Sequence, residues 1–144
     1  MTNGVAAVEL NLVEQKKTIV DIQDIDEKDI QGMEYSPGYG EAKVLLNEAK
    51  EPVGYIWCEF PNDWLYLDMI EIIQKEQGLG TEAIQFLFDY YPIKRIEGRV
   101  MLEAGMRPYY FWESLGAKFD FIGDVDTPEE AFSKRVEIVF ALDK

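Results

Sequence analysis

Apolar and polar positions change rhythm about half-way along the chain. Val8, Leu10 and Leu12 alternate with Glu9, Asn11 and Val13, which predicts an opening strand. The run from Thr18 to Ile25 has apolar residues at mixed spacing and settles on neither period. Asp26 to Met33 is compatible with a short helix, and Ser36-Pro-Gly-Tyr-Gly40 has the chemistry of a loop. Three strands are then predicted in quick succession: Ala42 to Leu46, Val53 to Phe60 and Trp64 to Ile72. The turns between them fall at Glu51-Pro52 and at Pro61-Asn-Asp63. Such short gaps predict an antiparallel meander. The third strand is apolar on both faces, as suits a central strand covered on both sides.

The period becomes helical after Gln74-Lys-Glu-Gln-Gly-Leu-Gly80. Ala83, Ile84, Leu87 and Phe88 share one helical face up to Tyr90, and Pro92 ends that helix. Arg95 to Leu102 reads as a strand. Pro108 fits the first turn of a second helix, whose Tyr109, Trp112 and Leu115 share a face, and Gly116 sits at its C-terminal cap. Ala117 to Ile122 reads as a strand. Thr127-Pro-Glu-Glu130 has capping-box spacing with Pro at the first helical position, which predicts a short helix. Val136, Ile138, Phe140 and Leu142 alternate in a last strand. Without repeat, linker or low-complexity segment, residues 1–144 read as a single domain of mixed α/β class.

Composition narrows the function. Of 144 residues, 47% are apolar and 13% aromatic, enough for a packed core. Cys58 is the only cysteine, so no intramolecular disulfide forms and a cytoplasmic setting is expected. Met1 to Val20 lack a basic segment leading into an apolar run, so no signal peptide is expected. No apolar run approaches the ~20 residues that cross a bilayer, so no membrane partner is expected. The net charge of −14 repels nucleic acid and anionic lipid. Two readings of it stand side by side: attraction of cationic partners such as polyamines, aminoglycosides or basic peptides, and solubility alone. There is no His, which excludes His-based triads and His-containing metal sites, and no metal is expected.

A strand, a Gly-rich turn and an amphipathic helix together suit a pyrophosphate. N–H groups at a helix N-terminus lack intrahelical partners, and the helix dipole favours an anion there. Gly78 and Gly80 permit unusual dihedrals and close approach. A dinucleotide fold would want a third glycine in a βαβ unit, and a nucleotide P-loop would end in Gly-Lys-Ser/Thr. Here the turn ends Gly80-Thr81 after a meander.

Lys75-Glu-Gln-Gly78-Leu-Gly80 resembles the signature of the GCN5-related N-acetyltransferase (GNAT) family, with Lys75 in place of the usual Arg or Gln. Phe111-Trp112-Glu-Ser-Leu115-Gly116 resembles a second motif of that family, and the strand order from Glu41 to Leu142 agrees with it. The resemblance implies a central mixed, mostly antiparallel sheet with helices on both faces. It leaves little room for the two helices usually found between the family's first two strands. It implies acetyl-CoA as cosubstrate, acetyl transfer to a small-molecule or peptide amine, and no metal. Dimers are frequent in that family, which leaves a homodimer open. It further implies that Ile70 and Ile72 pair with the pantetheine arm through their main chain. The amides from Gln77 to Thr81, Gly78 and Gly80 among them, would hold the pyrophosphate beside Lys75.

The catalytic positions depart from that pattern. Trp112 occupies the place of a tyrosine acid, and indole N–H is a donor but not a usable acid. Tyr109, one turn earlier on the same face, is the substitute candidate; the alternative is packing against the sheet. Trp64 and Tyr66 stand where carboxylate bases are common. Asp68 shares their face by alternation, and a buried apolar setting would raise its pKa, whereas pairing with a Lys or Arg is the alternative. Bound water is a further route for the proton. Glu103-Ala-Gly105 lacks a cofactor-contacting Asn, and Cys58, with no His to activate it, reads as a packed residue. The alternative function is a catalytically silent acyl-CoA-binding or protein-interaction module. A third reading, an acidic protein that sequesters a basic partner, leaves the Gly-rich turn unexplained.

Overall fold

A computed structural model describes residues 17–31, 39–74 and 78–144. The predicted strand around Val8 to Leu12 lies outside these residues, as do Ser36 and Pro37. Among the described residues seven strands form one sheet. They are β1 (Asp21–Asp24), β2 (Glu41–Leu46), β3 (Pro52–Glu59), β4 (Leu65–Ile72), β5 (Arg95–Arg99), β6 (Lys118–Ile122) and β7 (Glu137–Asp143). The spatial order is β1-β2-β3-β4-β5-β7-β6, and every neighbouring pair is antiparallel except β4 with β5. Three α-helices accompany them: α1 (Leu79–Tyr90), α2 (Arg107–Ser114) and α3 (Pro128–Lys134).

Two apolar clusters lie against the sheet. The larger joins Leu45, Ile56, Leu67, Ile96, Ile138 and Phe140 of the strands to Ala83 and Leu87 of α1, Tyr109 and Trp112 of α2 and Ala131 of α3. The smaller joins Val44, Leu46, Tyr55, Trp57 and Met69, and Ile25 and Ile30 pack against it. A 3-10 turn at Glu27–Asp29 is tied to this second cluster, where the indole of fully buried Trp57 donates to Glu27 Oε1 at 2.9 Å. This turn is what the segment Asp26 to Met33 forms within its described part.

The predicted strand Arg95 to Leu102 stops at Arg99, and Leu102–Ala104 is a 3-10 turn. The alternation of Ile96, Gly98, Val100 and Leu102 continues past the point where pairing ends. Val100 still donates to Ile138 at 2.9 Å, but the Leu102 N–H already turns back to Val100. The helix ends obey the expected chemistry. Thr127 caps α3 by accepting from the Glu130 N–H, and Gly116 adopts φ +89 after α2.

One glycine fixes the middle of the sheet. A Cβ on Gly98 would lie 2.3 Å from the Leu67 carbonyl oxygen and 2.9 Å from the Phe140 ring. β4, β5 and the larger cluster meet at a distance only a glycine allows. Gly98→Ala is therefore expected to destabilise the fold by about 1–3 kcal/mol, the usual cost of overpacking, as read from urea denaturation.

Candidate functional site

β4 and β5 pair for only three residues each, Leu65 to Leu67 against Ile96 to Gly98. β5 ends at Arg99, while β4 continues to Ile72 against β3. Leu67 faces Cys58 and Met69 faces Trp57, which leaves Asp68 as the extra residue of a β-bulge. A bulge bends its strand and increases the local twist, so β4 turns away from β5 here. A cleft of about 430 Å³ fills the gap. β4 from Leu67 to Ile72 forms one wall and Arg99, Met101 and Phe140 another. Gly80 of α1 and Arg107, Pro108, Phe111 and Trp112 of α2 complete it.

The start of α1 is shaped by two glycines with different tasks. Gly78, the N-cap, adopts φ +86, a left-handed conformation that a Cβ disfavours. Gly80 has ordinary dihedrals, but a Cβ there would stand 3.1 Å from the Phe111 ring. Its missing side chain lets α2 close against the helix start. The first intrahelical bond runs from the Glu82 N–H to the Gly78 carbonyl at 3.0 Å. The N–H groups of Leu79, Gly80 and Thr81 therefore have no partner within the helix, and with the dipole they favour an anion. Glu82, in the same turn, accepts from the Ile19 N–H.

Asp68 is held between two partners. Its Oδ2 accepts from the Tyr39 N–H at 2.7 Å, and its Oδ1 stands 3.8 Å from Arg99 Nη2. Arg99 Nε in turn lies 3.9 Å from Glu137 Oε1. Tyr66 adjoins the same group, and burial, with the Asp68 charge beside it, pushes its phenol above the ordinary value. Gly40, at φ +93, brings the Tyr39 segment close to β3, where a Cβ would be 2.7 Å from the Cys58 carbonyl. A second cavity of about 840 Å³ meets the first at Arg99 and Met101.

Neither a protein-family model nor a curated protein matches the sequence. Solved structures do match. A Bacteroides thetaiotaomicron protein assigned to the GNAT acetyltransferases superposes with TM-score 0.55 at 12% identity, covering 87% of this chain and 88% of that one. The IAA acetyltransferase of Bacillus cereus ATCC 14579 gives 0.51 at 13% identity over 86% and 99%. The ribosomal-protein-S18-alanine N-acetyltransferase of Escherichia coli gives 0.50 at 17% identity over 85% and 92%. The chain has the GNAT fold. Identities this low speak of architecture and leave the substrate to the site itself.

Within that GNAT fold the predicted residues fall into four groups. Asp68, Ile70, Ile72, Gly80 and Trp112 line the cleft. Gly78 and Thr81 stand at the start of α1 beside it. Lys75 and Gln77 lie outside the described residues. Tyr109 is turned elsewhere: its ring packs on Phe119 with centroids 4.4 Å apart, and burial, then the charges of Glu113 and Glu129, push its phenol up. Trp112 stacks on Phe140 at 3.8 Å, with the rings 19° from parallel. The alternation that groups Asp68 with Trp64 and Tyr66 is interrupted by the bulge, although Tyr66 and Asp68 both adjoin Arg99.

Arg99 and Arg107 carry no signal in the sequence that marks them for the site. Arg99 sits on the polar side of an alternating strand, an ordinary place for a charge. Only the parallel register with β4 brings it to Asp68. Among the described residues no group of three His, Cys, Asp or Glu is placed to hold a metal ion, and no helix is long and apolar enough to cross a membrane.

Cys58 is fully buried, and burial pushes its thiol up to about 11, against the opposing pull of the Lys43 ammonium. A thiol in that state is a poor nucleophile. Native protein at pH 8 is expected to leave a chromogenic thiol reagent unreacted over minutes, and to consume one equivalent once unfolded in guanidinium. Fast native reaction would contradict the burial.

Proposed function

We propose that the protein transfers an acetyl group from acetyl-CoA to an amine. The observation that carries this reading is the single cleft reaching from the main chain of β4 to Gly80 at the start of α1. Its two ends present the two kinds of group that coenzyme A needs. Beyond Leu67 no β5 residue is registered opposite β4, so an amide-bearing arm can add there as an extra strand. The N–H groups of residues 79–81 suit the pyrophosphate, and Lys75 and Gln77 precede them closely in the sequence. Arg107, on the cleft wall, adds a cation for the phosphates.

Acetyl-CoA supplies an activated thioester. A C–N bond forms as the C–S bond breaks, and the proton lost by the amine balances the one gained by the departing thiol. Among the described residues the cleft lining includes no Tyr, His or Cys, and its carboxylates are Asp68 and Glu71. Both oxygens of Asp68 are engaged, so its service as base requires one partner to move. A role for Tyr109 as acid requires its ring to leave Phe119. Positioning, with water carrying the proton, asks least of this geometry.

A second reading, a silent acyl-CoA-binding or protein-interaction module, is supported by Trp112, an indole at the position where the resemblance expects a tyrosine acid, held in a stack on Phe140.

Acetyl-CoA at a hundredfold excess over its Kd is expected to stabilise the protein by ~2.7 kcal/mol in a thermal melt. Gly78→Glu, which places a carboxylate at the helix start, should remove most of that gain while costing the free protein only about 1–2 kcal/mol for its left-handed backbone. Release of free CoA with any amine, monitored with a thiol reagent, supports transfer. Binding without turnover across a broad amine panel favours the silent module, and no stabilisation at all sinks both.

A further inference from the structure

Charge at the two cavities runs against the composition of the chain. The protein has 28 acidic and 14 basic residues, and only four of the basic ones are arginines: Arg95, Arg99, Arg107 and Arg135. Arg99 lines both cavities, Arg107 the smaller and Arg135 the larger. The charged groups around the larger cavity are Arg99, Glu103, Arg135 and Glu137, two of each sign, although the whole chain carries −14. Met101, Phe132 and Val136 supply an apolar lining between them.

Arg99 is already met by Asp68 and Glu137. None of the ion pairs among the described residues includes Arg135. Its place is set by rigid neighbours. Arg135 is the C-cap of α3 at φ 58, ψ 40, a left-handed position usually taken by Gly or Asn. Its N–H reaches the Phe132 carbonyl, the Val136 N–H bonds Ala131 at 2.8 Å, and β7 begins two residues later. Arg135, exposed at the cavity wall, thus has no carboxylate partner among the described residues.

We propose that the larger cavity receives the acceptor, and that the acceptor is an amine carrying a carboxylate, of the amino-acid class. This rests on the acetyl-transfer reading above. The carboxylate sits on Arg135, whose planar fork matches it. The amine points to the junction at Arg99, where Asp68 and Glu137 balance its charge before it gives up a proton to water. A polyamine would bring a second cation, rather than a carboxylate, to Arg135. The field of −14 does attract cations from a distance, but it is screened beyond ~8 Å at physiological salt, so the groups in contact decide.

The test uses the full-length protein with acetyl-CoA and three probes: the standard L-amino acids, their α-amides, and spermidine. At least one amino acid should be acetylated with a tenfold or greater preference over its amide. Arg135→Ala should erase that preference by raising KM at least tenfold, with kcat within twofold and acetyl-CoA stabilisation unchanged. Arg135→Lys should recover part of it. Arg135→Gly relieves the left-handed backbone and keeps the cap, so it should lose the preference as fully as Arg135→Ala; a purely structural Arg135 would leave it intact. Calorimetric titration of the CoA-saturated protein with the preferred amino acid should show the same loss of affinity without turnover. Equal rates for acid and amide, turnover of spermidine alone, or indifference to all three variants overturns the assignment of the acceptor. Absence of any acetyl-CoA stabilisation overturns the underlying reading and this inference with it.

Discussion

The early parting of β4 from β5 is the constraint on which the rest of the structure depends. Parallel neighbours gain from every added rung, yet this pair stops after Leu67 and Gly98. The close approach at Gly98 locks the last rung, and the bulge at Asp68 turns β4 away immediately afterwards. Chain geometry then dictates the rest of the site. Past Gly98 β5 keeps only β7 beside it, and it ends at Arg99 and folds back through the 3-10 turn into α2. α2 closes the open side of the gap against Gly80. The smaller cavity, its junction with the larger one and the position of Arg99 all descend from a two-residue stretch in β4.

Much of this fold can be read from local pattern, because alternation and helical spacing are local properties. Val53 to Phe60 and Trp64 to Ile72 match β3 and β4 closely, and the capping residues of α2 and α3 stand where their chemistry requires. The failures are as physical as the successes. β1 buries only Ile22 among its four residues, too little for a period to be visible. The strand expected through Leu102 overshoots because side chains keep alternating after the hydrogen-bond partner has gone.

The site is legible in the same uneven way. Gly78 and Gly80 lie within one turn, and their tasks come from backbone conformation and close approach. Asp68 shows the opposite case. Its partners, Tyr39 and Arg99, lie 29 and 31 positions away in the chain, and the bulge that places it leaves no trace in the alternation of Trp64, Tyr66 and Asp68. Tyr109 and Trp112 do share the sheet-facing side of α2, as their spacing requires. Spacing cannot tell which part of that side meets the cleft and which meets Phe119 on β6.

The row Asp68, Arg99 and Glu137 is better explained by the geometry it fixes than by the stability it adds. Its contacts are 3.8 and 3.9 Å long, and the Arg99 side chain is 45% exposed. Ion pairs of that kind contribute little to folding, because water already solvates the charges and two long side chains must be ordered. Position is another matter. The row ties the loop at Tyr39, the end of β5 and the start of β7 together at the point where the two cavities meet. Asp68 is the buried member, 9% exposed, and so the least able to trade its partners for water. Losing it would leave the Tyr39 N–H without its acceptor and Arg99 with Glu137 alone. The wall between the cavities would then loosen where a thioester and an amine must come within reach of each other, and small displacements there cost rate more readily than they cost stability.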